Sequence, residues 1–583
     1  MRRFEAVGRY WRLLARYLRP EWPRMGLLAV ILCATICVQV AAPLVASRFI
    51  DQATSGGAMR ELIVLALLTM GLALAQQGVA IAETYVAENI SWAATNALRV
   101  DLVAHLLRLD ASFHSARTSG ELIERVDGDV ATLAHFFSRF VVYVLGNGLL
   151  IVGVLGLLYH VDWRIGLGLS AFVAIALFAM LRIRAAATPS WAAERQASAD
   201  FYGFLSEYLT GLEDIRSNGA SAFVLRRCAE VMQAWLAATR KAQMWGYGLA
   251  ATSQGMFTLG MAAAFALSAL LFKSGELTIG TVYLIFQYTD MLRRPTEQIR
   301  HEVQDLQQAD ASMGRIEALL STTPRLTDGA GGTLPPGPLS VELDGVSFGY
   351  AEDVPVLRDI SVSLAPGRVL GVVGRTGSGK TTLTRLLPRF YDPLAGTVRL
   401  GGIDLRTVSL AAVRARIGVV TQEVHLFNAS VRDNLTIFDD SVPDERISAV
   451  LDSLGLAEWR LALPCGLDTL LGSGGVGLSA GQAQVLACAR ILLRDPDVVI
   501  LDEASSRLDP ATERLVHTAL GRLLDGRTGI IVAHRLSTIA YADDILVLED
   551  GQVREHGPRL ALAADPTSRF AGLLRGAAEE VSL

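Results

Sequence analysis

Residues 374–381, GRTGSGKT, stand directly after the apolar run VLGVV and just before the helical pattern LTRLLPRF. This is G-x4-G-K-T between a strand and a helix, where backbone amides turn toward phosphate oxygens and a helix N-terminus adds its positive end. Gly374, Arg375, Thr376, Gly377, Ser378 and Gly379 supply that cradle, with Thr382 just beyond it. Lys380 is expected on the β- and γ-phosphates and Thr381 on a magnesium ion. A second candidate is VVILDEASS, in which four apolar residues from Val498 run into Asp502 and Glu503. Carboxylates at the carboxyl edge of a parallel strand sit where ligands bind in such sheets. Asp502 is expected to hold magnesium, through water, and Glu503 to act as general base on an attacking water. A lone Asp-Glu pair after a strand is commonly a solvated acidic turn. Beside a phosphate loop it reads as hydrolysis of a nucleoside triphosphate.

The elements that must position these groups fill residues 341–583, where strand and helix patterns alternate. The preceding 340 residues differ in kind. The chain of 583 residues is 51% hydrophobic and 19% charged, with a mean hydropathy of +0.37. Charge falls short of the ~25% usual in soluble domains. A simple soluble enzyme and a disordered chain are excluded. The net charge of −5 and pI near 6.0 argue against a general nucleic-acid partner. Five scattered cysteines imply no disulfide framework, and Cys33 and Cys37, inside an apolar run, are expected to be buried as small hydrophobes.

The apolar excess resolves into six spans: residues 25–46, 62–81, 141–159, 165–181 and 244–272, and a sixth from residue 277 that loses its apolar character at Asp290, Arg293 and Arg294. Each needs about 20 residues to cross ~30 Å of hydrocarbon. Seven arginines (Arg2, Arg3, Arg9, Arg12, Arg16, Arg19 and Arg24) precede the first span. That asymmetry places the N-terminus in the cytoplasm, and an even number of spans returns the chain there. The polar connections 83–139 and 182–243 keep helical periodicity, so the spans are expected to continue into the cytoplasm as long hairpins. TPRLTDGAGGTLPPGPLS, ending at Ser340, breaks all periodicity. The expected division is a membrane domain over 1–321, a linker over 322–340 and a nucleotide-binding domain over 341–583.

Between the two nucleotide motifs lies LSAGQAQVLACARILLRDPD, which resembles the signature of ATP-binding cassette (ABC) proteins, normally LSGGQ. The other cassette motifs follow in order. Tyr350 in VSFGY, 24 residues before Gly374, resembles the aromatic loop that stacks on adenine; Gln422 in VVTQEVHLFNASVRDNL resembles the loop that senses magnesium. Ser506 to Asp509, SRLD, is similar to the dimer-crossing loop, and His534 in IIVAHRLST to the switch histidine at the γ-phosphate. FHSARTSGELIERVDGDV and SEYLTGLEDIRSNGA resemble the two cytoplasmic loops of ABC exporters that end in coupling helices. The resemblance implies a multidomain half-transporter, an all-α polytopic membrane domain followed by an α/β P-loop cassette.

The same resemblance implies that ATP is held between the phosphate loop of one cassette and the signature of another. Ser479, Gly481 and Gln482 then serve a partner's nucleotide, while Lys380, Asp502, Glu503 and His534 act on the chain's own. Ala480 replaces the usual glycine, Ser473 a frequent glutamate, Ala483 and Val485 frequent arginines, and Arg507 a small residue, all expected on the face offered to the partner. That one-sided degeneracy favours a heterodimer over a homodimer. The implied activity is ATP-driven export of a hydrophobic or amphipathic small molecule, lipid or peptide through the inner (plasma) membrane, with the cassette cytoplasmic. An importer of siderophore type on the same fold and an ATP-gated channel-like subunit are the alternatives. Asp290, Arg293, Arg294, Glu83 and Glu88 are expected to mark the cytoplasmic interface, in preference to lining a polar inward cavity. Trp245, Tyr247 and Phe257 are open to a substrate-surface or a packing role.

Overall fold

The computed structural model describes residues 15–329, 331–351, 354–421, 424–472, 478–502, 510–533 and 536–582. The chain divides into two compact units, Met1–Leu107 with Ser119–Thr322, and Arg108–Thr118 with Thr323–Leu583.

The first unit is built of helices joined by turns, with no strand among its described residues. Its main elements are α1 (Trp22–Thr54), α2 (Met59–Arg108), α3 (Asp129–Arg139), α4 (Asn147–Val161), α5 (Trp163–Thr210), α6 (Ser221–Lys273), α7 (Ile279–Met291) and α8 (Arg293–Leu320). At 1.5 Å per residue the 50 residues of α2 and the 53 of α6 reach about 75–80 Å, more than twice the hydrocarbon thickness. The long polar connections are thus continuations of the spanning helices. The most apolar stretch of α2 buries none of its residues, and Leu67, Leu74, Val152, Ile175 and Leu259 all face outward. Such a surface would be a large exposed patch in water and suits hydrocarbon.

Five described helices are long and apolar enough to cross a membrane. The expected sixth span is not one such helix: α7 has 13 residues and stops at Leu292, where α8 begins. Pro295 cannot donate a backbone hydrogen bond in the first turn of α8, and polar residues start at Asp290, so length and apolarity fail together. What holds α7 is lateral packing. The fully buried Tyr288 donates its hydroxyl to the Val40 carbonyl of α1 at 2.9 Å, and Asp51 of α1 accepts from Gly280 N (2.7 Å) and Thr278 Oγ1 (2.8 Å) at the other end. The link between α4 and α5 is a tight hairpin whose N-cap, Asp162, accepts from Arg164 N at 2.8 Å.

One expectation of burial is corrected, and one open reading is narrowed. Cys33 and Cys37 are exposed, because four residues apart on α1 they share its outward face. Trp245, Tyr247 and Phe257 do not form one surface: Tyr247 points outward, whereas Phe257 is buried edge-on against Phe172 at 5.5 Å.

The second unit contains two sheets. β1 (Val341–Phe348), β2 (Leu357–Leu364), β4 (Ala395–Leu400) and β5 (Ile403–Asp404) form an antiparallel sheet in the order β2-β1-β4-β5. The larger sheet runs β10-β9-β3-β8-β7-β6, from β3 (Val369–Val373), β6 (Ile417–Val420), β7 (Val498–Asp502), β8 (Thr528–Val532), β9 (Asp544–Glu549) and β10 (Gln552–Pro558). It is parallel except for β10 on β9. All five residues of β3 and of β8 are buried, which is why these strands read as unbroken apolar runs and not as alternation.

Residues 323–340 have no helix or strand among their described residues, yet they are strapped onto this unit. Leu339 is buried in its core, Thr528 Oγ1 donates to the Leu339 carbonyl (2.8 Å), and Leu410 N donates to Asp328 Oδ1 (2.7 Å). Arg389, 2% exposed, is the central fastener: it pairs with Asp392 at 2.7 Å and donates to the carbonyls of Thr327 (3.0 Å) and Leu405 (3.3 Å). Arg389→Met would leave these acceptors unpaired and is expected to cost about 3 kcal/mol. The readouts are a lower thermal inactivation temperature of the ATPase and faster proteolytic cleavage between 323 and 340. An unchanged cleavage rate would show the strap to be held otherwise.

Candidate functional site

The phosphate loop leaves β3 at Val373 and enters a short helix, α9 (Lys380–Leu386). Two of its glycines are required by geometry. At Gly374 (φ 153°) an added Cβ would lie 2.2 Å from the Leu548 carbonyl oxygen, and at Gly379 (φ 100°) it would lie 2.6 Å from Leu357 Cδ2. Arg375, Thr376 and Gly377 are exposed at the rim, as is Thr381, while Ser378, Lys380 and Thr382 are buried. The Lys380 ammonium donates to the Gly374 carbonyl (2.7 Å) and the Arg375 carbonyl (3.0 Å), so its charge is held inside the curve of the loop. Ser378 Oγ is buried with no hydrogen-bond partner among the described residues. A buried orphan hydroxyl beside an ammonium fits a phosphate oxygen.

Tyr350 stands beside this loop. Its hydroxyl shares a hydrogen bond with Thr382 Oγ1 (3.2 Å) and accepts from Arg385 Nη1 (3.3 Å), while its ring stands edge-on to Phe348 (5.2 Å) and Tyr391 (5.4 Å). Nearly half of Tyr350 is exposed, which leaves ring surface for a base.

Asp502 ends β7 half-buried, level in register with Val532 of β8, which is in turn level with Val372 of β3. The carboxylate therefore sits at the same carboxyl edge as the loop, two strands away, or roughly 10 Å at the ordinary strand spacing. Its oxygen, with the hydroxyl of Thr381, belongs to the hard donor class that suits Mg2+. Gln422, Glu503, Asp509 and His534 lie outside the described residues, as do Ser473 and Arg507.

The signature segment caps a helix, Ala480–Arg494 (α10). Ser479, exposed, is its N-cap: the hydroxyl accepts from Gln482 N (3.2 Å), and Gln482 Oε1 accepts in return from Ser479 N (3.1 Å). This reciprocal capping box explains a serine and a glutamine at this spacing before any ligand is considered. Gly481, in the first turn, is buried. One expectation is overturned. Val485 is 1% exposed and packs in the core of the second unit, because on α10 it shares the inward face with Leu486 and Ala489. It is not offered to a partner.

Sequence reasoning missed Arg490. It donates to the Asn434 carbonyl (2.6 Å), the His425 carbonyl (2.8 Å) and Asn434 Oδ1 (3.0 Å), tying the chain that follows Gln422 to the signature helix. Burial lowers its pKa. The signal was available as an arginine inside the apolar run LACARILL, where an unpaired charge would be costly. On the same helix, burial pushes the Cys488 thiol up to about 12, which leaves it inert.

Residues 25–296 match the family described as ABC transporter transmembrane region, and residues 357–506 the family described as ABC transporter. An ATP-dependent lipid A-core flippase of Chromohalobacter salexigens is 30% identical over 570 residues, covering 97% of both chains. A cyclolysin secretion/processing ATP-binding protein of Bordetella pertussis is 32% identical over 90% of this chain and 74% of its own. A bacterial Atm1-family ABC exporter solved with ATP bound superposes with a TM-score of 0.78 at 26% identity, covering 95% of this chain and 98% of the other. The chain belongs to the ABC transporters, as a membrane-embedded half-transporter of the exporter type whose ATP-binding cassette couples ATP hydrolysis to transport.

Proposed function

We propose that the chain is one half of a dimeric exporter in the inner (plasma) membrane, with its N-terminus and cassette in the cytoplasm, moving a hydrophobic or amphipathic small molecule, lipid or peptide by alternating access. The observation that carries this reading is the phosphate loop closed around Lys380 in a chain whose other half exposes apolar helix faces. The names of the relatives, a lipid flippase and a secretion protein, fit the substrate classes.

In this reading Gly374 to Gly379 and Thr382 cradle the phosphates, Lys380 neutralises the β- and γ-oxygens and Tyr350 carries the base. Thr381, Asp502 and Gln422 would hold Mg2+, which supplies positive charge at the β- and γ-phosphate oxygens when bound. Glu503 takes the proton of the attacking water as its oxygen bonds to the γ-phosphorus and the bond to the ADP oxygen breaks, and His534 steadies the γ-phosphate. Ser479, Gly481, Gln482 and Asp509 act across a head-to-tail dimer on the other nucleotide. Closure of the two cassettes is carried to the membrane helices by the cytoplasmic loops 113–130 and 206–220.

The departures at Ala480, Ser473, Ala483 and Arg507 favour a heterodimer, now without Val485. Affinity purification from native membranes is expected to bring down a second, different half-transporter, and inverted vesicles carrying both are expected to accumulate substrate against a gradient only with ATP. An active, stable dimer of this chain alone would overturn the heterodimer.

A further inference from the structure

Within the membrane unit, α1, α2, α4, α7 and α8 line a half-open cavity of about 620 Å³. That is the size of a drug-sized ligand site. Its polar lining is acidic and amidic: Glu83 and Asp290 contribute carboxylates, and Asn147 and Gln298 join across it at 2.7 Å. No lysine or arginine is among the described residues that line it. The expectation that Glu83 and Asp290 only mark the interface is thereby corrected, whereas Glu88 is exposed, Arg293 stays off the lining, and the Arg294 side chain lies outside the described residues.

Glu83 carries the argument. It is 7% exposed, its Oε2 accepts from Thr35 Oγ1 at 2.7 Å, and it has no ion pair among the described residues. Asp290 has a loose partner in Arg293 at 3.6 Å, and Arg293 in turn donates to Gln254 at 3.3 Å. A buried carboxylate with one neutral hydrogen bond and no ion pair among the described residues is stabilised in its charged form when a positive charge stands beside it. Polar groups retained inside a membrane domain face its interior and mark ligand paths. The half-exposed ring of Tyr143 on the same lining adds an aromatic face that attracts cations.

We propose that this cavity binds amphipathic organic cations, with Glu83 as the counter-ion and Asp290 as a second, partly compensated carboxylate. The proposal rests on the exporter reading and names its substrate class. An anionic headgroup would meet two carboxylates and, among the described residues, no lining cation, so the cavity selects against it. The hydrogen bond from Thr35 occupies one oxygen of Glu83 and holds the carboxylate in place, which spares the ligand that ordering cost.

The test uses two ions of the same shape and opposite charge, tetraphenylphosphonium and tetraphenylborate. Radiolabelled ion bound to the full-length transporter in lipid nanodiscs, with its co-purifying chain, is counted against empty discs. Wild type is expected to bind the cation at least tenfold more tightly than the anion. Glu83→Gln, which keeps an acceptor for Thr35, is expected to weaken cation binding about tenfold and leave the anion unaffected or improved. Should Glu83→Gln not elute as a single species, Asp290→Asn is expected to give a loss of a few-fold in the same direction. Equal binding of the two ions by wild type, or full cation affinity in both variants, overturns the proposal. Wild-type discs that hydrolyse ATP while showing no charge preference sink the cation site alone; discs with no ATP hydrolysis at all sink the exporter reading beneath it.

Discussion

Glu503→Gln is expected to leave ATP binding intact and to lower ATP turnover by about a thousandfold, within the range that loss of a positioned general base produces. The residue follows Asp502, and Asp502 ends β7 at the carboxyl edge that also carries the phosphate loop. The substitution removes the proton acceptor and keeps size and hydrogen bonding, so nucleotide affinity has no reason to fall. Equilibrium binding of radiolabelled ATP beside single-turnover phosphate release separates the two effects. Turnover within a few-fold of wild type would falsify the assignment and send the search for the base elsewhere on the same edge.

Lys380→Ala is expected to fail earlier, at binding, with ATP affinity reduced by about a hundredfold or more. A hydrogen bond from an ionised donor contributes roughly 1.5–3 kcal/mol, and in the proposed reading Lys380 makes more than one to the phosphates. The loop carbonyls of Gly374 and Arg375 already hold the ammonium where they curve round it, so little is spent on ordering it when nucleotide arrives. Lys380→Arg is expected not to rescue, because a planar fork does not fit a site shaped for a compact ammonium that is 5% exposed. The same binding assay reads both variants. Full affinity in Lys380→Ala would remove the loop's lysine from the site.

Much of the chemistry is local and therefore legible. A phosphate loop needs its glycines, lysine and threonine at contiguous positions, and the buried strands β3, β7 and β8 announce themselves as apolar runs ending at the residues they present. What escaped are features set by which side of a helix faces inward. The family resemblance puts Val485 on the partner face, as a position that is frequently arginine, yet the turn of α10 carries it into the core. Cys33 and Cys37 were placed inside by their apolar surroundings, although in a membrane helix the apolar side also faces lipid. Arg389 looks like any surface arginine in LLPRFYDP until the strap from 323 to 340 closes over it.

The sequence by itself determined the class of molecule: apolar runs of spanning length, a phosphate loop in its strand and helix context, and the ordered cassette motifs. These follow from contiguous residues and from the fixed repeats of strand and helix. Only the tertiary structure decided that α7 ends at Leu292 and survives by lateral bonds to α1, and that a strap secures the cassette. It also decided that Glu83 and Asp290, more than 200 residues apart, line one cavity. A carboxylate at the end of an apolar run reads as a boundary because the sequence carries no term for its neighbours. The burial of Glu83, and its lack of an ion pair among the described residues, are properties of the packed helices alone.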